Sequence, residues 1–199
     1  MDFGTWPPLL IVDVEGNGAT PPEAVEIALV PFADGQPVPQ SAYTTLIQPG
    51  TPISRVVSRI HGITNEDVAR APRWDEAGPE IAARLGTGWI AAHNATVEYS
   101  VLRRHLPQWQ PAGVLDTLRL ARRAFPTADG HSLDALLAHT GIDTSPITGH
   151  RHRAAFDAHL TGLLLSTIAP HYSNWDALAS DGVTPGKPGT PAHQEDTLW

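Results

Sequence analysis

The 199-residue chain contains no cysteine, which excludes disulfides, thiolate zinc sites and a cysteine nucleophile. It has no apolar run near the roughly 18 residues that a spanning helix needs, so an integral helical membrane protein is excluded. The opening Met1-Asp2-Phe3-Gly4-Thr5-Trp6-Pro7-Pro8 carries an acid where a secretory signal carries Lys or Arg. These absences point to a cytoplasmic protein with no membrane partner. Positive charge is also scarce. Thirteen Lys plus Arg stand against twenty-one Asp plus Glu, a formal net charge of −8. Broad, non-specific duplex binding relies on a strongly basic surface, and this balance argues against it. It does not exclude a nucleic-acid enzyme whose metal site concentrates carboxylates.

The composition, 41% hydrophobic and 17% charged, is that of one globular domain. Leu9-Leu10-Ile11-Val12-Asp13-Val14 is a short continuous apolar run ending in acids, as a buried central strand does. Val25–Val30 and Tyr43–Ile47 read as two further strands, making an antiparallel meander of the first fifty residues. After Pro49-Gly50 the pattern turns helical, with Thr64-Asn65-Glu66-Asp67 as a helix start and helical spacing over 75–85. A fourth strand is expected at 88–92, a helix at 96–105, a fifth strand at Val114-Leu115, and helices over 118–124, 132–139 and 153–168. Domain organisation follows: residues 1–180 form the domain, and the Pro/Gly-rich stretch from Asp181 to Trp199 is expected to be a flexible tail. Strands that give way to alternating helices and strands imply an α/β fold with a mixed sheet.

Three acidic motifs stand out. Asp13-Val14-Glu15 ends the first strand, and strand alternation puts both carboxylates on one face about 7 Å apart, close enough to share a divalent ion. Gly16-Asn17-Gly18 then leaves the backbone free to approach a ligand closely. His93-Asn94-Ala95-Thr96-Val97-Glu98 places an acid in the first turn of a helix beside the sheet end, with Asn94 in the position of an N-cap. His152-Arg153-Ala154-Ala155-Phe156-Asp157 opens the last long helix. Five residues apart, His152 and Asp157 fall on different sides of an ideal helix, so His152 is expected in the preceding loop, leaning over whatever Asp157 binds.

Each motif alone is compatible with helix capping or a solvated loop. Together, in this order and spacing, they resemble the DEDDh 3'-5' exonucleases, the family of the DNA polymerase III epsilon proofreading subunit, RNase T and oligoribonuclease. His61-Gly62-Ile63-Thr64 and Asp116-Thr117 match two further segments of that family, and the likeness runs from about Leu9 to Ile168. The resemblance implies an RNase H-like fold with a five-stranded mixed sheet flanked by helices. It also implies two-metal phosphodiester hydrolysis. Asp13, Glu15, Glu98 and Asp157 would hold two divalent cations, Mg²⁺ or Mn²⁺, which prefer oxygen ligands. His152 would be the general base. Gly16, Asn17, His61, Ile63 and Asn94 would line the place of the terminal nucleotide, with His61 and Ile63 against its base. The partners would be single-stranded DNA or RNA 3' ends, releasing nucleoside 5'-monophosphates. Arg103, Arg104, Arg151 and Arg153 flank the second and third motifs and are expected to meet upstream phosphates.

The chain departs from the family pattern twice. Glu98 stands where aspartate is usual, and its extra methylene moves the carboxylate by roughly 1.5 Å, a misplacement that can be worth about a hundredfold in rate. Gly16 stands where Thr or Ser is usual, which keeps a backbone contact and removes a hydroxyl. Two alternatives therefore stay open: a binding module of the same fold with weakened catalysis, and a hydrolase of mononucleotides or very short oligonucleotides.

Overall fold

Leu9–Gly16 forms β1, the strand around which the sheet is built. The computed structural model describes residues 2–190. Strand β2 (Ala24–Ala33) pairs antiparallel with β1 and carries β3 (Gln36–Pro37) and β4 (Tyr43–Leu46) along its outer edge. On the other side β5 (Trp89–Ala92) runs parallel to β1, and β6 (Gly113–Asp116) runs parallel to β5. Six strands thus lie five wide, the mixed sheet the sequence implies, with the two-residue β3 as an addition.

Strand alternation divides the apolar side chains between two layers. Ile11, Ala28 and Val30 face a core completed by α4 (Thr117–Ala124), α5 (Leu133–Thr140), α6 (Ala154–Ile168) and α7 (Trp175–Gly182). Val12, Ile27, Leu29 and Ile90 face the opposite core, closed by Ile81 of α2 (Trp74–Leu85) and Leu102 of α3 (Thr96–His105). Asp13 and Glu15 share the parity of Leu9 and Ile11, so the acids project into the layer that contains α6. Gly162 lets α6 lie close there: a Cβ at this position would sit 2.6 Å from Pro37 Cβ and 3.5 Å from Ile11 Cγ1.

The expected helix start at Thr64 is instead a turn. Asp67 Oδ2 accepts from Thr64 N (2.8 Å) and Thr64 Oγ1 (2.7 Å), Asn65 Oδ1 is drawn away to Ile53 N (2.8 Å), and Pro72 follows. The helix of this region is α1 (Arg55–His61), started by Ser54, whose hydroxyl accepts from Val57 N, and stopped by Gly62 at φ 76°. At the other end, α7 extends past the expected domain boundary. Beyond it Val183 bridges Leu115 antiparallel, and Val114 N donates to the Pro188 carbonyl at 3.0 Å, so residues 183–190 run along the free edge of β6. Residues 191–199 of the expected tail lie outside the described residues. Among those described, no helix is long and apolar enough to cross a membrane.

Gly162→Ala is expected to lower stability by about 1–3 kcal/mol through overpacking, although alanine is the better helix former. Urea unfolding measures this; a stabilised variant would show that α6 has slack against the sheet.

Candidate active site

The site begins where β1 loses its register. Glu15 lies opposite Glu26, but Gly16 lies opposite Ala24, so Val25 is an extra residue in β2 and the ladder ends in a bulge. The loop that follows is organised from inside. Asn17 is buried, its Nδ2 donates to Thr51 Oγ1 (2.8 Å), and its Oδ1 accepts from Ala19 N (3.1 Å) and Glu23 N (3.0 Å). His61, the last residue of α1, is buried beside it. Its Nδ1 accepts from Ile63 N (3.0 Å), which leaves Nε2 to donate to the Gly16 carbonyl (3.2 Å). Burial lowers the pKa of this ring and keeps it neutral. Ile63 packs with Val25, Ile53 and Val68 in a small core of its own. Of the residues expected against the terminal nucleotide, Asn17, His61 and Ile63 thus turn inward and support the Gly16 backbone from behind.

At the second motif Asn94 adopts φ 72°, and its N–H donates to Asp116 Oδ1 at 3.1 Å. The residue preceding α3 is Ala95, not Asn94, and the Asn94 side chain is exposed. His93 bridges Thr117 Oγ1 (3.0 Å) and the His131 carbonyl (2.9 Å), tying this junction to α4 and to the approach of α5. Asp116 starts α4 as expected, accepting from Leu118 N at 2.9 Å. Glu98 is buried on the first turn of α3, and its Oε2 has no hydrogen-bond partner.

The third motif closes the site. His152 precedes α6, as its spacing from Asp157 requires, in a left-handed conformation with φ 61°. That conformation is uncommon outside glycine. It is held by the His152 N–H, which donates to Asp157 Oδ2 at 3.1 Å. Glu15, His152 and Asp157 each offer a ligand atom, and these atoms lie within 4.8 Å of one another. Glu98 and Asp13 are not in that group of three, but both feel its charge. Burial, then the carboxylates of Glu98, Glu15 and Asp157, push the Asp13 carboxyl well above its ordinary range. Burial, then Asp157 and Glu26, push Glu15 up to about 7. Glu98 is pushed up to about 8, chiefly by burial. Burial also raises Asp157, against the opposing pull of Arg151.

This is the electrostatics of a site built for cations. Four carboxylates gather at one sheet end, two of them buried and two half-buried, one buried oxygen has no donor, and an imidazole offers a ligand atom to the group. Hard divalent ions fit such an oxygen-rich donor set.

The arginines take different partners from those expected. Arg103 Nη1 donates to the Pro107 (2.7 Å) and Trp109 (2.5 Å) carbonyls beyond the end of α3, and Arg104 donates to the Pro22 carbonyl. Arg151 pairs with Asp134 and Asp157. Arg153 Nε donates to Glu26 at 3.0 Å. Each guanidinium lies beside protein acceptors close to it in the fold, so phosphate contact is not the role this arrangement favours. Glu26 and Asp134 are the site's neighbours that sequence reasoning missed; each sits in a segment whose pattern reads as an ordinary strand or helix.

The exonuclease family model RNase_T matches residues 10–165. Exodeoxyribonuclease 10 of Escherichia coli K12 is 34% identical over 181 residues, covering 90% of this chain and 76% of the relative. A DNA polymerase III subunit epsilon-like protein of Rhodobacter capsulatus is also 34% identical over 181 residues, but this chain spans only 25% of its length. Among solved structures, Exonuclease X in complex with 5' overhanging duplex DNA superposes with a TM-score of 0.70 at 34% identity, covering 85% of this chain and 95% of that one. The nuclease domain of 3'hExo bound to rAMP shares the fold with a TM-score of 0.69 at 14% identity. With the RNase H-like sheet, the three acidic motifs and these relatives in agreement, the chain belongs to the DnaQ-like family of 3'-5' exonucleases.

Proposed function

We propose that this exonuclease trims single-stranded DNA or RNA 3' ends in the cytoplasm, one nucleoside 5'-monophosphate at a time, using two Mg²⁺ or Mn²⁺ ions. The observation that carries this reading is the convergence of Glu15, His152 and Asp157 within 4.8 Å, beside the unpartnered buried oxygen of Glu98. Asp13, Glu15, Glu98 and Asp157 would hold the ions, which supply charge neutralisation for the attacking and leaving oxygens. An imidazole nitrogen of His152 accepts the proton of the attacking water. Water oxygen bonds to the terminal phosphorus, the bond from phosphorus to the upstream 3' oxygen breaks, and that oxygen takes up a proton from solvent to leave as a hydroxyl. Asn94, exposed before α3, and the Gly16 backbone would meet the terminal nucleotide. Single-stranded ends are favoured by the α1 surface next to the site, where Val56 and Ile60 are 69% and 50% exposed one helical turn apart and offer apolar contact to unstacked bases.

The test uses 5'-labelled single-stranded DNA and RNA with Mg²⁺, Mn²⁺ or EDTA. A ladder of 3'-shortened products is expected, abolished by EDTA. His152→Ala is expected to lower kcat by about 10²–10⁴-fold, the usual worth of a general base. Absence of any ladder from the native chain, with cleavage gained in Glu98→Asp, would instead identify a binding module disabled by the longer side chain. Cleavage of dimers but not of 20-mers would move the substrate to very short oligonucleotides.

The metal-free fold carries a pH signature. Glu15 and Glu98, raised from 4.5 to about 7 and about 8, keep protons in the folded state that the unfolded chain has released. The unfolded state binds fewer protons across this window, so stability falls as pH rises from about 4.5 towards 8. Thermal melts in EDTA are expected to show this decline and Mn²⁺ to reverse it, since bound cations favour the ionised carboxylates. A flat profile in EDTA would mean that the acids are solvated.

A further inference from the structure

The helix that delivers Asp157 has no side-chain cap of its own. Arg153 occupies the position before α6, and no side chain of the neighbouring sequence accepts from the first helical N–H groups. The acceptor comes from the sheet. Glu26 of β2, only 4% exposed, receives the Ala154 N–H on its Oε2 at 2.9 Å across 128 positions of sequence. The same carboxylate accepts from Arg153 Nε and Nη2, a two-pronged pair with Nε at 3.0 Å from Oε2. A negative group at a helix N-terminus is favourable, and bidentate arginine pairing fixes orientation as well as distance. Glu26 is also the residue opposite Glu15 in the β1–β2 register. One buried side chain therefore ties β2, at the position paired with Glu15, to the helix turn that carries His152 and Asp157.

We propose that Glu26 is a positioning residue for the catalytic centre, acting through Arg153 and the Ala154 N–H to hold His152 and Asp157 in register with Glu15. The turn it grips is otherwise held by the His152 N–H bond to Asp157 and by Arg151, which pairs with Asp134 and Asp157. His152 sits at φ 61°, where a non-glycine backbone is strained, and its neighbours Arg151 and Arg153 are each anchored outside the turn, to Asp134 and to Glu26. Without the Glu26 anchor, Arg153 is free to swing into solvent, and the first turn of α6 loses its only side-chain acceptor among the described residues. The displaced atoms are those of the His152–Asp157 pair, so the damage falls on metal affinity and turnover and not on the grip on substrate.

The inference rests on the site reading above, and its test separates the two. Glu26→Gln keeps the shape and an acceptor for Ala154 N–H but removes the charge that holds the guanidinium. Arg153→Lys keeps the charge but removes the fork. Mn²⁺ binding by calorimetry without nucleic acid, kcat and KM on a labelled 20-mer, and thermal melts are measured for both variants and their double mutant. Glu26→Gln is expected to weaken Mn²⁺ binding and to lower kcat by about 10–100-fold each, the range seen for residues that orient metal ligands, with KM unchanged. The double mutant is expected to be no worse than Glu26→Gln, because both changes break one pair. Native Mn²⁺ affinity and native kcat in Glu26→Gln would overturn the proposal. So would a raised KM with native kcat in Arg153→Lys, which would put the guanidinium on the substrate. Should Glu26→Gln fail to fold, Arg153→Lys still decides through its kcat and Mn²⁺ affinity. A native chain that binds Mn²⁺ and cuts nothing would defeat the exonuclease reading and leave the calorimetric arm standing.

Discussion

Mutual repulsion among carboxylates at the end of β1 is the constraint the rest of the structure serves. At an effective dielectric near 20, two such charges about 4 Å apart repel by about 4 kcal/mol. Asp13, Glu15, Glu98 and Asp157 gather at one end of the sheet, the first two half-buried and the last two buried, and no flexible loop would keep them there. The acids are instead fastened to rigid elements: two to the central strand of the sheet, one to the first turn of α3, one to the first turn of α6. Without cations, burial first and mutual repulsion second raise the carboxyls of this group and favour their protonated forms. The site is thus poised to exchange protons for metal, and the fold carries the cost of holding it open.

The arginines belong to the same account. In a chain of net charge −8, the cations nearest the site serve first as internal counterions: Arg151 beside Asp157 and Asp134, Arg153 beside Glu26. They steady the turn before α6 and dilute the local negative field.

Much of this was legible in the sequence. The period of two along a strand puts Asp13 and Glu15 on one face without further information, and five-residue spacing puts His152 in the loop before α6. The central run of apolar residues identified β1, and the likeness to a known family supplied the order of the rest. What was not legible depended on partners far away in sequence. Val25-Glu26-Ile27 reads as part of a strand, and only the register opposite Glu15 and the arrival of α6 reveal a buried cap. Asn17 and His61 carry groups suited to a ligand, yet loop closure claims them: Thr51, Ala19, Glu23 and the Gly16 carbonyl take up their bonding capacity. The Thr64 helix start failed for a similar reason, since Asn65 was drawn off to Ile53.

The strip from Val183 to Thr190 has a consequence for how the domain meets other molecules. An open sheet presents two edges, and each is a template on which a foreign strand can add. Here the β6 edge is taken by the chain's own Val183 bridge and by the Pro188 carbonyl, with Gly189 lying so close to Gly113 that a Cβ would come within 2.9 Å of its Cα. On the opposite edge, β3 contains Pro37, which has no N–H to offer a newcomer. Strand addition is therefore discouraged along β6 and at β3, which leaves the four residues of β4 as the outer-edge backbone on the β2 side among the described residues.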